Sequence, residues 1–409
     1  MNNKNKTIWY INKYQECESK YSPGGRGFLI MKELSKLGYD TVVFTSDSTN
    51  LTYTPKLQEG CQIIKQDHLT VVWLKTMKYK VAKSIRRVLS WFDFELNLLF
   101  FDEKSVKSPD VVIVSCLSLF TVINGLRLKN KYNCKLIMEV RDIWPLTLVA
   151  EGGFSKYNPL VAFMSVIEKL GYKYSDDIVG TMPNLGLHVS NVLGYEKKVH
   201  CVPMGVMNHE FYEDSDVLLP EGYISQHFNL TKFNIVYAGT IGITNALEVL
   251  FKSASLISNP NVHITIVGDG ALKQQFIEKY GLLKNVSFAP KVSKNQVQSV
   301  LKYADVVYLS AHPSILWEFG QSLNKVIDYM RSGKPIIASY TGHKNMLEDS
   351  GCAFFAPANE INALATLIDE VADIPAAQLN SIGIKGKDWL FRNQQYDVLA
   401  TKYESIIGD

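Results

Sequence analysis

Short apolar runs alternate with helix-like segments along this chain, twice over, and that alternation fixes the fold class. In the first half Ile8–Ile11, Thr41–Thr45, Val71–Leu74, Val111–Val114 and Leu136–Met138 read as strands. Between the first two, Phe28, Leu29, Met31, Leu34 and Leu37 repeat at helical spacing and stop at Gly38. Unbroken apolar runs of this length suit strands buried on both faces, which means parallel strands joined by right-handed helical crossovers. The second half repeats the scheme. Asn234–Tyr237, His263–Val267, Val286–Phe288, Val306–Leu309 and Ile336–Ala338 read as strands, with helices over Asn245–Ile257, Ala271–Lys279 and Gln296–Tyr303. A chain of 409 residues exceeds the usual size of one core. Two α/β domains are therefore expected, at 1–210 and 211–385, with a helical last stretch at 386–409.

Charge is unevenly spread. Residues 1–210 carry 27 Lys and Arg against 20 Asp and Glu, and residues 211–409 carry 16 against 20. The first half thus favours an anionic partner such as a lipid surface or lipid diphosphate. No dense basic stripe appears, so nucleic acid is not the expected partner. The six cysteines are scattered without a CxxC. That argues for a reducing compartment, with Cys116, Cys134 and Cys201 as buried thiols. The start lacks an apolar core long enough for a signal peptide. Val111–Leu126, the longest uncharged stretch, is short for a membrane span.

Open parallel sheets bind ligands beyond the carboxyl ends of their strands. The most informative loop of this kind is in the segment FGQSLNKVIDYMRSGKPIIAS, Phe319–Ser339. A loop over Gly320–Asn324 runs into a helix, then Gly333 and Pro335 stop it. A helix start offers free N–H groups and a positive dipole end, so Lys325 in the first turn is unfavourable unless an anion sits nearby. The reading is a seat for a diphosphate. Other strand-end loops are Ser22–Gly27, Gly239–Gly242, Val267–Gly270 and Phe288–Lys291. In Val267–Gly270 the glycines read as shaping the fold. Glu139–Pro145 (EVRDIWP) puts charges directly after a strand, a poor packing choice that points to function at Arg141 and Asp142. The alternative is an Arg–Asp surface pair with Trp144 as a plug. From Lys78 to Phe101, Lys80, Lys83, Arg86 and Arg87 precede Trp91, Phe92, Phe94, Leu96 and Phe101. This reads either as an interfacial helix for an anionic membrane or as ordinary helices packed on a core.

The Phe319–Ser339 segment resembles the donor-site motif of family 4 retaining glycosyltransferases of the GT-B fold, in the bacterial branch that builds O-antigen, capsule and exopolysaccharide. Gly320, Ser322, Asn324, Lys325, Asp328, Tyr329, Met330, Gly333, Lys334 and Pro335 match it. The resemblance implies two Rossmann-like domains facing across a cleft, with a terminal helix crossing back to the first. It implies a UDP-linked donor, of an N-acetylated hexosamine or 6-deoxyhexosamine, and no metal or other cofactor. The acceptor would be a lipid-diphosphate-linked saccharide, reached by a cytoplasmic protein peripheral to the inner membrane surface. Gly24, Gly25, Gly239, Thr240, Gly242, Gly320, Ser322 and Asn324 would line the donor diphosphate, and Pro290 the base. Asp328 would take the ribose hydroxyls. Asp142, Arg141 and Lys325 would be catalytic. The chain departs from the family at Gly320, where a glutamate is usual, and at Ile243 and Leu247 or Glu248, where Arg and Lys usually clamp the diphosphate. Lys325 is the expected substitute. Those gaps leave an inactive sugar-nucleotide or lipid-binding scaffold as an alternative; a GT-B UDP-sugar epimerase, which would need an added carboxylate pair, is another. An NAD-dependent dehydrogenase is disfavoured, because the full dinucleotide fingerprint is missing.

Overall fold

The computed structural model describes residues 6–19, 22–49, 54–79, 84–115, 118–213 and 217–408. Lys80, Lys83 and Cys116, singled out above, lie outside the described residues. The chain divides into two compact units, Met1–Gly205 with Tyr396–Asp409, and Val206–Gln395.

The N-terminal unit is built on an eight-stranded sheet. Its strands are β1 (Thr7–Ile11), β2 (Asp40–Ser46), β3 (Cys61–Gln66), β4 (Leu69–Leu74), β5 (Val111–Ser115), β6 (Lys135–Val140), β7 (Asp177–Gly180) and β8 (Val199–Cys201), in the order β3-β4-β2-β1-β5-β6-β7-β8. All pairs are parallel except β3–β4. The antiparallel β3 corrects the all-parallel expectation. It is a polar edge strand, CQIIKQ, largely exposed, so it lacks the apolar run that marks the buried strands. Its helices include α1 (Arg26–Lys36), α2 (Ile85–Leu99), α3 (Thr121–Tyr132) and α4 (Pro159–Tyr174).

The C-terminal unit holds a six-stranded, wholly parallel sheet of β9 (Phe233–Ala238), β10 (Val262–Val267), β11 (Val286–Ala289), β12 (Val306–Ser310), β13 (Ile336–Ser339) and β14 (Ala353–Ala356), ordered β11-β10-β9-β12-β13-β14. Ile235, Tyr237, Ile264, Ile266, Val306, Tyr308 and Ile337 form its fully buried centre. Each such aliphatic side chain contributes about 1.5–3 kcal/mol by leaving water. The helix expected over Asn245–Ile257 is shorter, a single 3-10 turn at Ile243–Asn245 and then Glu248–Ala254. Asn324–Arg331 is α5.

The last helical stretch is two helices, α6 (Ala376–Asn393) and α7 (Tyr396–Gly408). The chain passes between units at Gln395–Tyr396, whereas the sequence placed that border at 385 and the earlier one at 210 rather than Gly205–Val206. Gly383 and Gly386 in α6 are contact glycines: a Cβ on Gly383 would lie 2.0 Å from the Gly333 carbonyl oxygen, and one on Gly386 2.4 Å from Cys352 Cβ. The helix runs through both positions because its own backbone is the packing surface. No helix among the described residues is long and apolar enough to cross a membrane.

Candidate functional site

In the C-terminal unit the ends of β9, β10, β12 and the start of α5 come together. Tyr329 makes the join. Fully buried, its hydroxyl accepts the Ala238 N–H at 3.0 Å and donates to the Ala238 carbonyl at 3.1 Å, so α5 is tied to the last residue of β9. One turn earlier on α5, Lys325 reaches the loop that follows β9. Its ammonium donates to the Tyr237 hydroxyl at 3.2 Å and to Asn245 Oδ1, and lies 4.9 Å above the Tyr237 ring. Tyr237 in turn donates to the Thr240 carbonyl at 2.6 Å, as does Asn245 Nδ2 at 2.9 Å. Every partner of Lys325 is neutral, and among the described residues no carboxylate lies within ion-pair reach. Desolvation alone pulls its pKa down to about 8. A half-buried ammonium with no counter-charge attracts an anion.

The surrounding loop geometry explains which expected residues share this place. Gly239, Thr240 and Gly242 form the β9 loop, and Gly242 precedes a 3-10 turn whose first amides have no partner within the turn. Gly268 and Gly270 do support this loop rather than face a ligand. At φ +151° and +159°, their missing Cβ atoms would lie 1.9 Å from the Gly239 oxygen and 2.3 Å from the Ile241 oxygen. The residues at the usual clamp positions do not act as cations here: Ile243 is exposed, Leu247 is buried, and Glu248 is bound by Lys279 at 2.6 Å. Gly320, at φ +105°, Ser322 and Asn324 lead into α5, which has no side-chain cap. Asp328 is half-buried, 3.8 Å from Arg331 Nη2. Burial raises its carboxyl pKa, and Arg331 and Lys294 oppose that. Arg331 itself stacks 4.0 Å over the Tyr212 ring. Pro290 is exposed, and its carbonyl is taken by the Tyr223 hydroxyl at 2.6 Å. Sequence reasoning missed Lys273, whose ammonium bonds the Gly268 and Ala289 carbonyls at 2.8 Å each and so braces the β10 and β11 loops. It also missed Tyr237 and Asn245. Nothing in a lone sequence marks them, because their role arises only when α5 meets β9.

In the N-terminal unit the amides of the glycine loop bond within the protein. The Gly24 N–H is held by Ser22 Oγ at 3.2 Å, and the Gly25 N–H is spent on the Glu16 carbonyl at 2.9 Å. The next residue, Arg26, turns into the core. Its guanidinium bonds Glu139 Oε2 at 2.6 Å and the Val202 and Pro203 carbonyls at 2.6 and 2.9 Å. Tyr10 donates to Glu139 Oε1 at 2.8 Å, and Tyr403 on α7 donates to Oε2. Burial would push the Glu139 carboxyl up, yet Arg26 and then Arg141 hold it near 2. Glu139 therefore belongs to the interior of β6, not to a charged strand exit. The signal was available: it sits inside the apolar run LIMEV, where only a buried cation makes a carboxylate tolerable. Arg141 and Asp142 follow at the strand end. Asp142 is exposed; the protein around it raises its carboxyl pKa by desolvation and Arg141 opposes this. Trp144 packs edge-on to Trp91 at 6.4 Å, as the plug reading expected. Cys134 is buried as expected, whereas Cys201 is only partly so.

Residues 232–373 match the model of the family described as Glycosyl transferases group 1. Over nearly its whole length the chain is similar to the probable glycosyltransferase WbjE of Pseudomonas aeruginosa, with 21% identity across 93% of this chain and 92% of that protein. It is also similar to the solved sucrose-phosphate synthase of Thermosynechococcus elongatus, at TM-score 0.69 and 14% identity over 98% of each chain. A third likeness is to Anabaena HepE in complex with UDP and glucose, at TM-score 0.64 and 11% identity over 98% of this chain and 99% of that one. The two α/β units are those of a GT-B fold. The protein is a glycosyltransferase.

Proposed function

We propose that the protein is a retaining glycosyltransferase of family 4 that moves a sugar from a UDP-sugar to a hydroxyl of a lipid-diphosphate-linked saccharide in bacterial surface-polysaccharide synthesis. One observation carries the donor half of this reading. The Lys325 ammonium stands at the start of α5, beside the Gly239–Gly242 loop, with neutral partners only. A diphosphate leaving group gains negative charge as the glycosidic bond breaks. A fixed cation and unpaired helix-start amides stabilise that charge without reorganising. Such a set neutralises the leaving group without a metal. UDP is favoured because HepE, a protein of the same fold, is solved with UDP and glucose. Asp328 sits one turn after Asn324 on α5, the place for a carboxylate that takes ribose hydroxyls. Retention then follows from front-side displacement, in which the acceptor hydroxyl attacks on the face the diphosphate leaves and gives that diphosphate its proton. Arg141 and Asp142 are our candidates for orienting the acceptor, which fits an N-acetylated hexosamine or 6-deoxyhexosamine transfer on the cytoplasmic side of the inner membrane.

The test is a donor screen on the purified chain. UDP-, GDP- and dTDP-sugars are titrated calorimetrically, and hydrolysis or transfer is followed by nucleotide release. UDP-sugars bind and the others bind weakly. If no nucleotide binds, the donor assignment fails.

A further inference from the structure

To take two ribose hydroxyls, the Asp328 carboxylate must carry its charge and must keep lone pairs on both oxygens. Its place on α5 works against the first requirement. The side chain is 27% exposed, and burial disfavours the charged form. The cations that oppose this are Arg331 and, with less weight, Lys294. Among the described residues Arg331 alone is within ion-pair reach. The backbone beneath the carboxylate is fixed as well, because Gln298 Nε2 donates to the Asp328 carbonyl at 2.8 Å.

The separation of the pair meets the second requirement. Arg331 Nη2 stands 3.8 Å from Asp328 Oδ1, near enough for the charges to attract and too far for a hydrogen bond. Among the described residues no donor is bonded to either carboxylate oxygen. A guanidinium that closed to about 2.8 Å would occupy the lone pairs that the hydroxyls need. An aromatic seat holds it back. The guanidinium lies 4.0 Å over the Tyr212 ring, a favourable contact in itself. Tyr212 is in turn fixed: its hydroxyl accepts the Met207 N–H at 3.4 Å, and its ring meets Phe391 of α6 edge-on at 6.4 Å. Phe391 stacks on His209 at 3.7 Å. With Arg331 only 14% exposed, this is not the solvated pair of a helix surface, which contributes little. A cation in the last turn of α5 also suits the helix dipole, but that role needs no aromatic seat.

We propose that Arg331, seated on the Tyr212 ring, is a positioning residue for nucleotide recognition: it gives the Asp328 carboxylate a counter-charge without taking either oxygen, so that both are left for the ribose hydroxyls. The inference rests on the reading of Asp328 as the ribose carboxylate, and the experiment separates the two. The full chain is titrated calorimetrically with UDP and with 2′,3′-dideoxy-UDP, which lacks both hydroxyls. The wild type prefers UDP by roughly tenfold or more. Arg331→Met and Asp328→Asn each lower UDP affinity by roughly five- to tenfold and leave dideoxy-UDP affinity as in the wild type. The double variant loses no more than the larger single loss, because the two residues act as one unit. Tyr212→Leu keeps the cation and removes its seat, so it also lowers the preference, and it serves where Arg331→Met fails to fold. An Arg331→Met protein that keeps the wild-type preference while Asp328→Asn loses it overturns the positioning role and leaves the ribose reading standing. Equal loss of UDP and dideoxy-UDP affinity assigns Arg331 to the fold or to the diphosphate, and additive losses in the double variant mean that the residues act independently; either overturns the proposal. If Asp328→Asn itself keeps the preference, the ribose reading fails and the proposal with it.

Discussion

Two cations open two helices after two glycine loops, and they do opposite things. Arg26 is the first residue of α1, and Lys325 is the second of α5. Read as sequence, PGGRG and GQSLNK are both strand-end loops that run into a helix with a cation at its start. In the folded chain Arg26 is 2% exposed, with a carboxylate on one side and two carbonyls on the other. Its charge is already answered, and it fastens α1 to β6 and to the chain after β8. Lys325 has a phenol and an amide for partners, neither able to neutralise it. The difference is compensation, not burial alone. A buried cation with its own acid is a structural part, whereas a half-buried cation without one is waiting for charge from outside.

The largest expected effect breaks the structural half of that contrast. Arg26→Ala leaves Glu139 buried without its cation, and losing one partner of a buried pair costs about 3–5 kcal/mol. Urea unfolding followed by tryptophan fluorescence measures it. A variant as stable as the wild type would mean that Glu139 is protonated or solvated and that the pair holds nothing. Next in size is Lys325→Ala. A hydrogen bond to a charged group is worth about 1.5–3 kcal/mol, so UDP affinity falls by roughly 10- to 100-fold while the urea midpoint hardly moves. Calorimetric titration with UDP checks this. Unchanged affinity would remove Lys325 from the diphosphate site.

Much of this was legible in the sequence. The apolar runs of the central strands, all buried, gave the parallel core of each sheet, whereas the polar edge strand β3 carried no such run. The loop and helix from Gly320 to Arg331 were legible because turn residues, an amphipathic repeat and a closing Gly333 agree there. What escaped depends on partners distant in the chain. Arg26 and Glu139 are 113 residues apart, and Lys325 and Asn245 are 80 apart. At the glycine loop near residue 24 the Glu16 carbonyl has taken the Gly25 amide, a partner that the loop's composition does not reveal. The α2 segment was ambiguous for another reason: the helix is apolar on both sides, burying Trp91, Phe94 and Leu98 and exposing Ile85, Leu89 and Leu96, and periodicity does not say which side the core takes.

Tyr329→Phe sharpens the comparison at a neutral anchor. The hydroxyl satisfies both polar groups of Ala238, so its removal leaves a buried N–H and C=O unmet and costs about 1–3 kcal/mol in thermal or urea unfolding. It also frees α5 from β9, so UDP affinity falls although no charge was touched. Affinity equal to the wild type would show that Lys325 finds its place without the anchor.

The smallest effect is the most discriminating, because it reads the charge on Lys325 directly. In the unliganded protein burial holds this pKa near 8, against 10.5 for an ordinary lysine. Between those values the unfolded chain binds the proton and the folded one releases it, so this residue makes folding more favourable as pH rises from about 8 to 10.5. That contribution is small, since the ammonium is only half-buried and water screens it. Diphosphate binding works the other way. The anion favours the charged form and lifts the pKa, so UDP affinity weakens as pH rises above 8, and binding at pH 8 takes up roughly half a proton. Titrations in two buffers of different ionisation heat measure that uptake. Lys325→Arg abolishes it, because a guanidinium stays protonated throughout this range. Wild-type binding without proton uptake at pH 8 would mean that the bound anion does not meet this ammonium, and the contrast with Arg26 would lose its functional half.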